Sequence, residues 1–153
     1  MNEMSMQKLS KDKVTICVIG LGRVGLPLAV VFANRGLTVV GVDNNTSRLD
    51  LLKNSKTPFQ DDPNLQKQLE QANNSGNIEF VTDLKNLKSK PDVIVVTVGT
   101  PNTSENNMDY SQLFSALDQI SNLGLEGMFI ILRSTMPPST TNQIVIPYLE
   151  SQS

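Results

Sequence analysis

The stretch from Val14 to Asp43, VTICVIGLGRVGLPLAVVFANRGLTVVGVD, constrains this chain more than any other. Its first apolar run, Val14 to Ile19, has the length and β-branched content of a buried strand. Gly20, Gly22 and Gly25 follow in G-x-G-x-x-G spacing. A segment of helical character, Val24 to Asn34, is closed by Gly36, and a second apolar run, Leu37 to Val42, ends in Asp43. Strand, glycine turn, helix, strand and acid, in that order, make up a dinucleotide-binding unit. A glycine motif alone is common in loops; its weight here comes from the agreement of all five parts.

Each residue type has a physical task. Gly20 permits a tight turn out of the first strand, Gly22 leaves the backbone open to a pyrophosphate, and Gly25 lets the helix approach the sheet closely. The start of that helix offers unpaired backbone N–H groups and a partial positive charge, both of which attract a diphosphate. Pro27 is tolerated because it lies in the first turn. Asp43, 18 residues beyond Gly25, suits the adenosine ribose hydroxyls as an acceptor. Its charge repels a 2′-phosphate, which favours NAD over NADP.

The rest of the chain narrows the class. A length of 153 residues fits one domain, enough to bury roughly 68–70% of its unfolded surface. With 13 basic and 15 acidic residues the net charge is −2 and no basic block stands out, which argues against nucleic acid or anionic membrane as partners. No apolar run is long enough to span a bilayer. Residues 1–13, MNEMSMQKLSKDK, read as a flexible polar tail and not as a secretion signal. The single cysteine, Cys17, excludes a disulfide framework and fits a reducing cytoplasm; its place mid-strand makes it a core filler. Histidine is absent, so neither a histidine general base nor the commonest zinc ligand is available, and no metal site is expected.

Past Asp43, Asn45 or Thr46 can cap a helix from Ser47 to Asn54. Arg48, on its first turn, either lies over the adenine or against the ribose, or is a solvated surface residue; contact with a 2′-phosphate is opposed by Asp43. The proline-bounded loop KTPFQDDP leads to a helix from Pro63 to about Asn73 capped by Asp62, with Asp61 a solvated neighbour. Short strands are expected at Ile78–Val81, Val93–Val98 and Met128–Leu132, with a helical turn over Thr82–Leu87. A helix starting at Asp109 or Ser111 runs to Asn122 and buries Leu113, Phe114, Leu117 and Ile120. A last helix, Ser139 to Glu150, is expected to break or end near Pro147.

Strands alternating with helices imply an α/β fold: a Rossmann-like doubly wound parallel sheet in three α/β/α layers, with strand order 3-2-1-4-5. The carboxyl ends of the first, fourth and fifth strands carry Gly20–Gly25, Val98–Pro101 and Ser134–Thr135, so all three loops are expected at one crevice. Hydroxyls of Thr100 and Thr135 there either meet the cofactor or serve as turn and capping groups.

Read together, IGLGRVGLPLA from Ile19, VGVD from Val40, the TPFQDDPNL loop, VVTVGTP from Val95 and RSTMPPSTT from Arg133 resemble the UDP-glucose/GDP-mannose dehydrogenase family. The resemblance is to its amino-terminal NAD-binding domain and covers the chain from about Val14 to the end. It implies that Gly20, Leu21, Gly22, Arg23, Val24 and Gly25 wrap the pyrophosphate, and that Asp43, Asn44 and Arg48 hold the adenosine ribose. It further implies that Val98, Gly99, Thr100 and Pro101 line the middle of the cofactor. Ser134 and Thr135 would approach the nicotinamide, with Thr135 a contact at the reaction centre.

Arg23 stands where the family often has an aromatic. Ser139 replaces the glycine of a P-P-G-T-T form, which stiffens that loop, and Asp62-Pro63-Asn64 replaces Glu-Pro-Gly. Members of the family oxidise the C6 alcohol of a sugar nucleotide to a uronic acid in two NAD-dependent steps, supplying polysaccharide biosynthesis. Their nucleophilic cysteine, catalytic lysine and most sugar contacts belong to downstream catalytic, dimerisation and sugar-nucleotide domains, and Cys17 does not match that nucleophile. The resemblance thus implies a cofactor domain, residues 14–153, that binds NAD without turnover and belongs to an enzyme that is a homodimer or larger. Two other readings stay open: a stand-alone NAD-binding or sensing module, and the cofactor domain of a β-hydroxyacid-type dehydrogenase. The second gives no reason for the GTP and S-T-x-P-P elements.

Overall fold

The computed structural model describes residues 14–105 and 107–152; the expected tail, residues 1–13, lies outside the described residues. Strand β1 (Thr15–Ile19) occupies the centre of the sheet and is buried from Ile16 onward. Around it lie β2 (Thr38–Val42), β3 (Ile78–Val81), β4 (Val93–Val96) and β5 (Phe129–Leu132), in the order β3-β2-β1-β4-β5. Every pairing is parallel. The register fixes where the chemistry sits. Ile19 lies opposite Val42 on one side and Val96 on the other, so three strands end level, and Gly20, Asp43 and Thr97 leave the sheet along one edge.

The apolar runs of β1, β2 and β4 are covered on both faces, as a parallel sheet requires, whereas edge strand β5 is only partly buried and exposes Ile131. Alternation along β1 sends Ile16 and Val18 to one face and Cys17 and Ile19 to the other. The first face packs against α1 (Gly25–Asn34), α2 (Thr46–Lys53) and α3 (Pro63–Ser75) through Leu26, Val30, Leu49, Leu52, Leu65 and Leu69. The second packs against α4 (Ser111–Asn122) and the C-terminal helical segment through Leu113, Leu117, Ile120, Val145 and Leu149. Each fully buried leucine contributes about 1.5–3 kcal/mol. Phe114, expected in the stripe of α4, is only partly buried and packs at the rim of that cluster.

Boundaries differ from the sequence reading where a side chain decides them. Asn45, not Thr46, caps α2: its side chain accepts from the N–H of Arg48 at 2.9 Å. Asp62 caps α3 through Leu65 N–H at 2.9 Å, but the helix runs on to Ser75 and closes on left-handed Gly76, φ +72°. At α4 the N-cap position falls to Tyr110, while Asp109 accepts from Ser111 N–H at 2.8 Å. Strand β4 stops at Val96, short of Val98; just beyond it the hydroxyl of Thr97 lies 2.9 and 2.6 Å from the carbonyl oxygens of Ile19 and Gly20. The last helix is interrupted next to Pro147, as expected, but the proline does not end it. A π-helical turn over Thr141–Val145 leads into α5 (Ile146–Ser151), and Pro147 falls in the first turn of α5, where its missing donor costs little.

Ser139 is where the sequence departs from glycine and the backbone does not: its φ is +69°, in the left-handed region that side chains other than glycine adopt at a cost. Strain, not stiffness alone, is the consequence. Ser139→Gly is expected to stabilise the protein by about 0.5–1 kcal/mol, the relief of strain exceeding the entropy of the freer unfolded chain. Urea denaturation of the two proteins measures it, and a loss of stability in the variant would refute the strain.

Candidate functional site

The turn after β1 is as tight as its glycines allow. Gly20 has φ +91° and its N–H donates to the carbonyl of Val42 at 2.8 Å. A Cβ built on Gly25 would lie 1.8 Å from the carbonyl oxygen of Gly20 and 2.4 Å from Oγ1 of Thr97, so strand end, helix start and Thr97 meet without room for a methyl group. Gly22 is the opposite case: a Cβ there meets nothing within 4 Å. One glycine serves packing and the other keeps a surface open.

That open surface is a helix start without a cap. Val24, at the N-cap of α1, makes no side-chain capping bond, and the first turn holds no acid. Among the described residues, the backbone N–H groups of Gly22, Arg23 and Val24 have no protein acceptor. Unpaired donors at the positive end of a ten-residue helix fit a diphosphate, whose oxygens satisfy the donors while its charge meets the dipole.

Asp43 stands beside this turn, 6% exposed. Its Oδ2 accepts from Leu21 N–H at 2.8 Å and from Nη1 of Arg48 at 2.8 Å, and its Oδ1 accepts from Asn45 N–H at 2.9 Å. These donors satisfy a buried carboxylate and fix its direction. A carboxylate offers about four acceptor positions, so capacity for a further hydroxyl remains after these three. Arg48 is therefore no free surface residue; it is tied to Asp43 with its side chain 30% exposed.

A cleft of about 310 Å³ opens along the level strand ends. Of the expected residues, Gly20, Gly22, Asp43, Asn44, Arg48, Val98 and Gly99 line it. Leu21 is fully buried beneath the turn. Gly25 is packed against Gly20, Val24 is exposed, and Arg23 is engaged elsewhere, bonded to Asp61 at 2.9 Å. Thr100, Pro101, Ser134 and Thr135 lie outside the cleft wall. Two of their hydroxyls join the loops to each other, Thr100 donating to the carbonyl of Thr135 at 2.6 Å and Ser134 to that of Val98 at 2.6 Å.

Other lining residues come from positions the sequence reading passed over. Thr82 and Thr97 do so, as do Ser111, Gln112, Ser115 and Gln119 of α4. Ser111, Ser115 and Gln119 are four apart, hence on one face; that polar row beside the apolar stripe was the available signal. Two of the glutamines also brace the walls: Gln112 accepts from Gly99 N–H at 3.2 Å and Gln119 from Leu84 N–H at 3.1 Å. Among the described residues no cluster of metal-ligating side chains occurs, and no helix is long and apolar enough to cross a membrane.

Comparison with known proteins agrees with this geometry. Residues 14–153 match the family described as "UDP-glucose/GDP-mannose dehydrogenase family, NAD binding domain". A UDP-N-acetyl-D-mannosamine dehydrogenase of Methanococcus vannielii is 36% identical over 144 residues, 91% of this chain and 33% of the relative. A ternary complex of GDP-mannose dehydrogenase from Pseudomonas aeruginosa superposes with TM-score 0.84 at 32% identity, covering 90% of this chain and 32% of that one. An NDP-N-acetyl-D-galactosaminuronic acid dehydrogenase from Methanosarcina mazei gives TM-score 0.87 at 26% identity, over 99% of this chain and 33% of that one. The chain thus spans about a third of the length of the relatives it matches. With residues 14–153 matched to a nicotinamide-nucleotide domain and folded on the 3-2-1-4-5 sheet, the chain belongs to the UDP-glucose/GDP-mannose dehydrogenase family.

Proposed function

We propose that this chain is the NAD-specific cofactor domain of an enzyme that oxidises the C6 alcohol of a sugar nucleotide to a uronic acid. The observation that carries the reading is the uncapped start of α1, with free N–H groups at Gly22, Arg23 and Val24 level with buried Asp43. The N–H groups would take the diphosphate and Asp43 a ribose hydroxyl, with Asn44 and Arg48 beside it. Val98 to Pro101 would flank the middle of the dinucleotide, and Ser134 and Thr135 the nicotinamide end. The bound cofactor would supply the hydride acceptor; this chain's residues hold and orient it. NAD is preferred over NADP because a 2′-phosphate would meet the charge of Asp43.

The sugar chemistry is assigned to other parts of a relative-length enzyme, a homodimer or larger assembly in the cytoplasm. Burial pushes the Cys17 thiol up to about 12, and the side chain is fully enclosed, so it cannot serve as a nucleophile. The test is direct. Titration calorimetry should show NAD binding more tightly than NADP. Mixing the chain with NAD and UDP-glucose, UDP-N-acetylmannosamine or GDP-mannose should produce no NADH. Absence of NAD binding would overturn the cofactor assignment, and turnover with any of these sugars would overturn the placement of the chemistry elsewhere.

A further inference from the structure

The cleft does not stop at Asp43. Along the edge of the sheet the glycine turn follows β1, Asp43 follows β2 and Thr82 follows β3, and these three strands are neighbours in that order. The N–H of Asp43 donates to the carbonyl of Val81 at 3.2 Å, so the end of β3 stands directly beside the carboxylate. A dinucleotide with its diphosphate at the turn and a ribose hydroxyl on Asp43 carries its base onward, to β3. There the cleft is lined by Thr82 and by Gln119 of α4.

Gln119 is held in a definite sense. A backbone N–H can only donate, so the N–H of Leu84, just past β3, fixes the side-chain oxygen of Gln119 toward itself at 3.1 Å. The other end of that planar amide is an NH2 group, which has no acceptor among the described residues. A carbonyl oxygen carries two lone pairs, so one stays open beside the two N–H donors. Donor and acceptor side by side match a ring nitrogen and the exocyclic amino group of adenine, the pairing by which glutamine recognises that base in nucleic acids. Hypoxanthine, with a carbonyl where adenine has the amino group, sets oxygen against oxygen. Because Leu84 holds the amide, it cannot turn over to suit that base. Ala116, one turn back on α4 and 2% exposed, adds an apolar surface to the same cleft.

We propose that Gln119 is a specificity-determining residue that recognises the base of the dinucleotide and selects adenine. The inference rests on the dinucleotide reading above. It makes a demand that a brace between α4 and Leu84 does not. Loss of a brace weakens every dinucleotide alike, whereas loss of a base contact removes the preference for one base over another.

The experiment is calorimetric titration of the whole chain with NAD and with nicotinamide hypoxanthine dinucleotide, which differs from it only in the base. The parent, Gln119→Met and Gln119→Ala are compared, with thermal unfolding of each as a control on folding. The first variant keeps the length of the side chain and the second keeps a strong helix former, so neither should break α4. The parent should bind NAD about 5–50-fold more tightly than the hypoxanthine analogue. In both variants that ratio should fall to within about twofold of unity. If the parent binds NAD without distinguishing the two bases, or if a folded variant keeps the parent's ratio, Gln119 is only a brace and the base contact is wrong. If the parent binds neither dinucleotide, the dinucleotide reading falls and the base contact with it, an outcome distinct from the first.

Discussion

Gly25→Ala is expected to destabilise the fold by about 3 kcal/mol or more, whereas Gly22→Ala, three residues earlier, leaves the fold intact and weakens cofactor binding. The added methyl on Gly25 would overlap the carbonyl oxygen of Gly20 at 1.8 Å and Oγ1 of Thr97 at 2.4 Å. The first is backbone. The second is fixed by its bonds to the Ile19 and Gly20 carbonyls. Relief requires α1 to lift from the end of β1, and α1 carries Leu26, Ala29, Val30 and Ala33 into the core. Overpacking that cannot be absorbed locally costs about 3 kcal/mol or more, a large share of the roughly 5–15 kcal/mol that keeps a domain folded.

At Gly22 the methyl meets nothing within 4 Å, so the change in stability should stay within about 0.5 kcal/mol. The methyl would instead stand where the diphosphate must approach the backbone, and NAD binding should fall by at least about tenfold, the equivalent of one lost hydrogen bond. Urea denaturation and calorimetric titration of both variants separate the two roles. A Gly25→Ala protein as stable as the parent would show that the close packing is not needed.

This division of labour between two glycines explains why so much was legible in advance. The pattern of apolar runs, the glycine spacing and the terminal acid depend on backbone geometry that a dinucleotide turn imposes on any sequence, and so the strand order and the places of Gly20, Gly22 and Asp43 could be read directly. Contacts between elements distant in the chain could not. Spacing gives Arg48 no reason to choose Asp43 over solvent; only the fold shows Leu21, Asn45 and Arg48 converging on one carboxylate. Likewise Asp61 reads as a solvated neighbour of a capping residue until the turn brings Arg23 to it. The hydroxyls of Thr100 and Ser134 are the converse. Their residue type suits ligand contact, yet each donates its proton to a carbonyl of the neighbouring loop. Pro147 marks the interruption of the last helix in the sequence, but only the fold shows the π turn that places the proline at a helix start.

Asp43→Ala is expected to lower stability and cofactor affinity together, and to reverse the choice of cofactor. In the parent, three donors end on the buried carboxylate. Its removal leaves the N–H of Leu21 enclosed without an acceptor and the guanidinium of Arg48 without its anion. Unpaired buried donors cost about 1–3 kcal/mol each. Because Arg48 can turn to solvent, the total should be about 2–4 kcal/mol. NAD binding should weaken by a further 1.5–3 kcal/mol or so, the scale of a hydrogen bond to a charged group, as the ribose loses its acceptor. NADP responds in the other direction. The charge that repels a 2′-phosphate is gone, and Arg48, released beside the same ribose, is the kind of residue that accommodates one. Asp43→Asn separates the effects: it keeps an oxygen for Leu21 and most of the stability, but not the charge, so it should lose the preference for NAD while remaining folded. Calorimetric titration of both variants with NAD and NADP, alongside urea denaturation, measures all three quantities. If Asp43→Asn binds NAD as tightly as the parent and still rejects NADP, the carboxylate serves only the turn beneath it and has no part in reading the ribose.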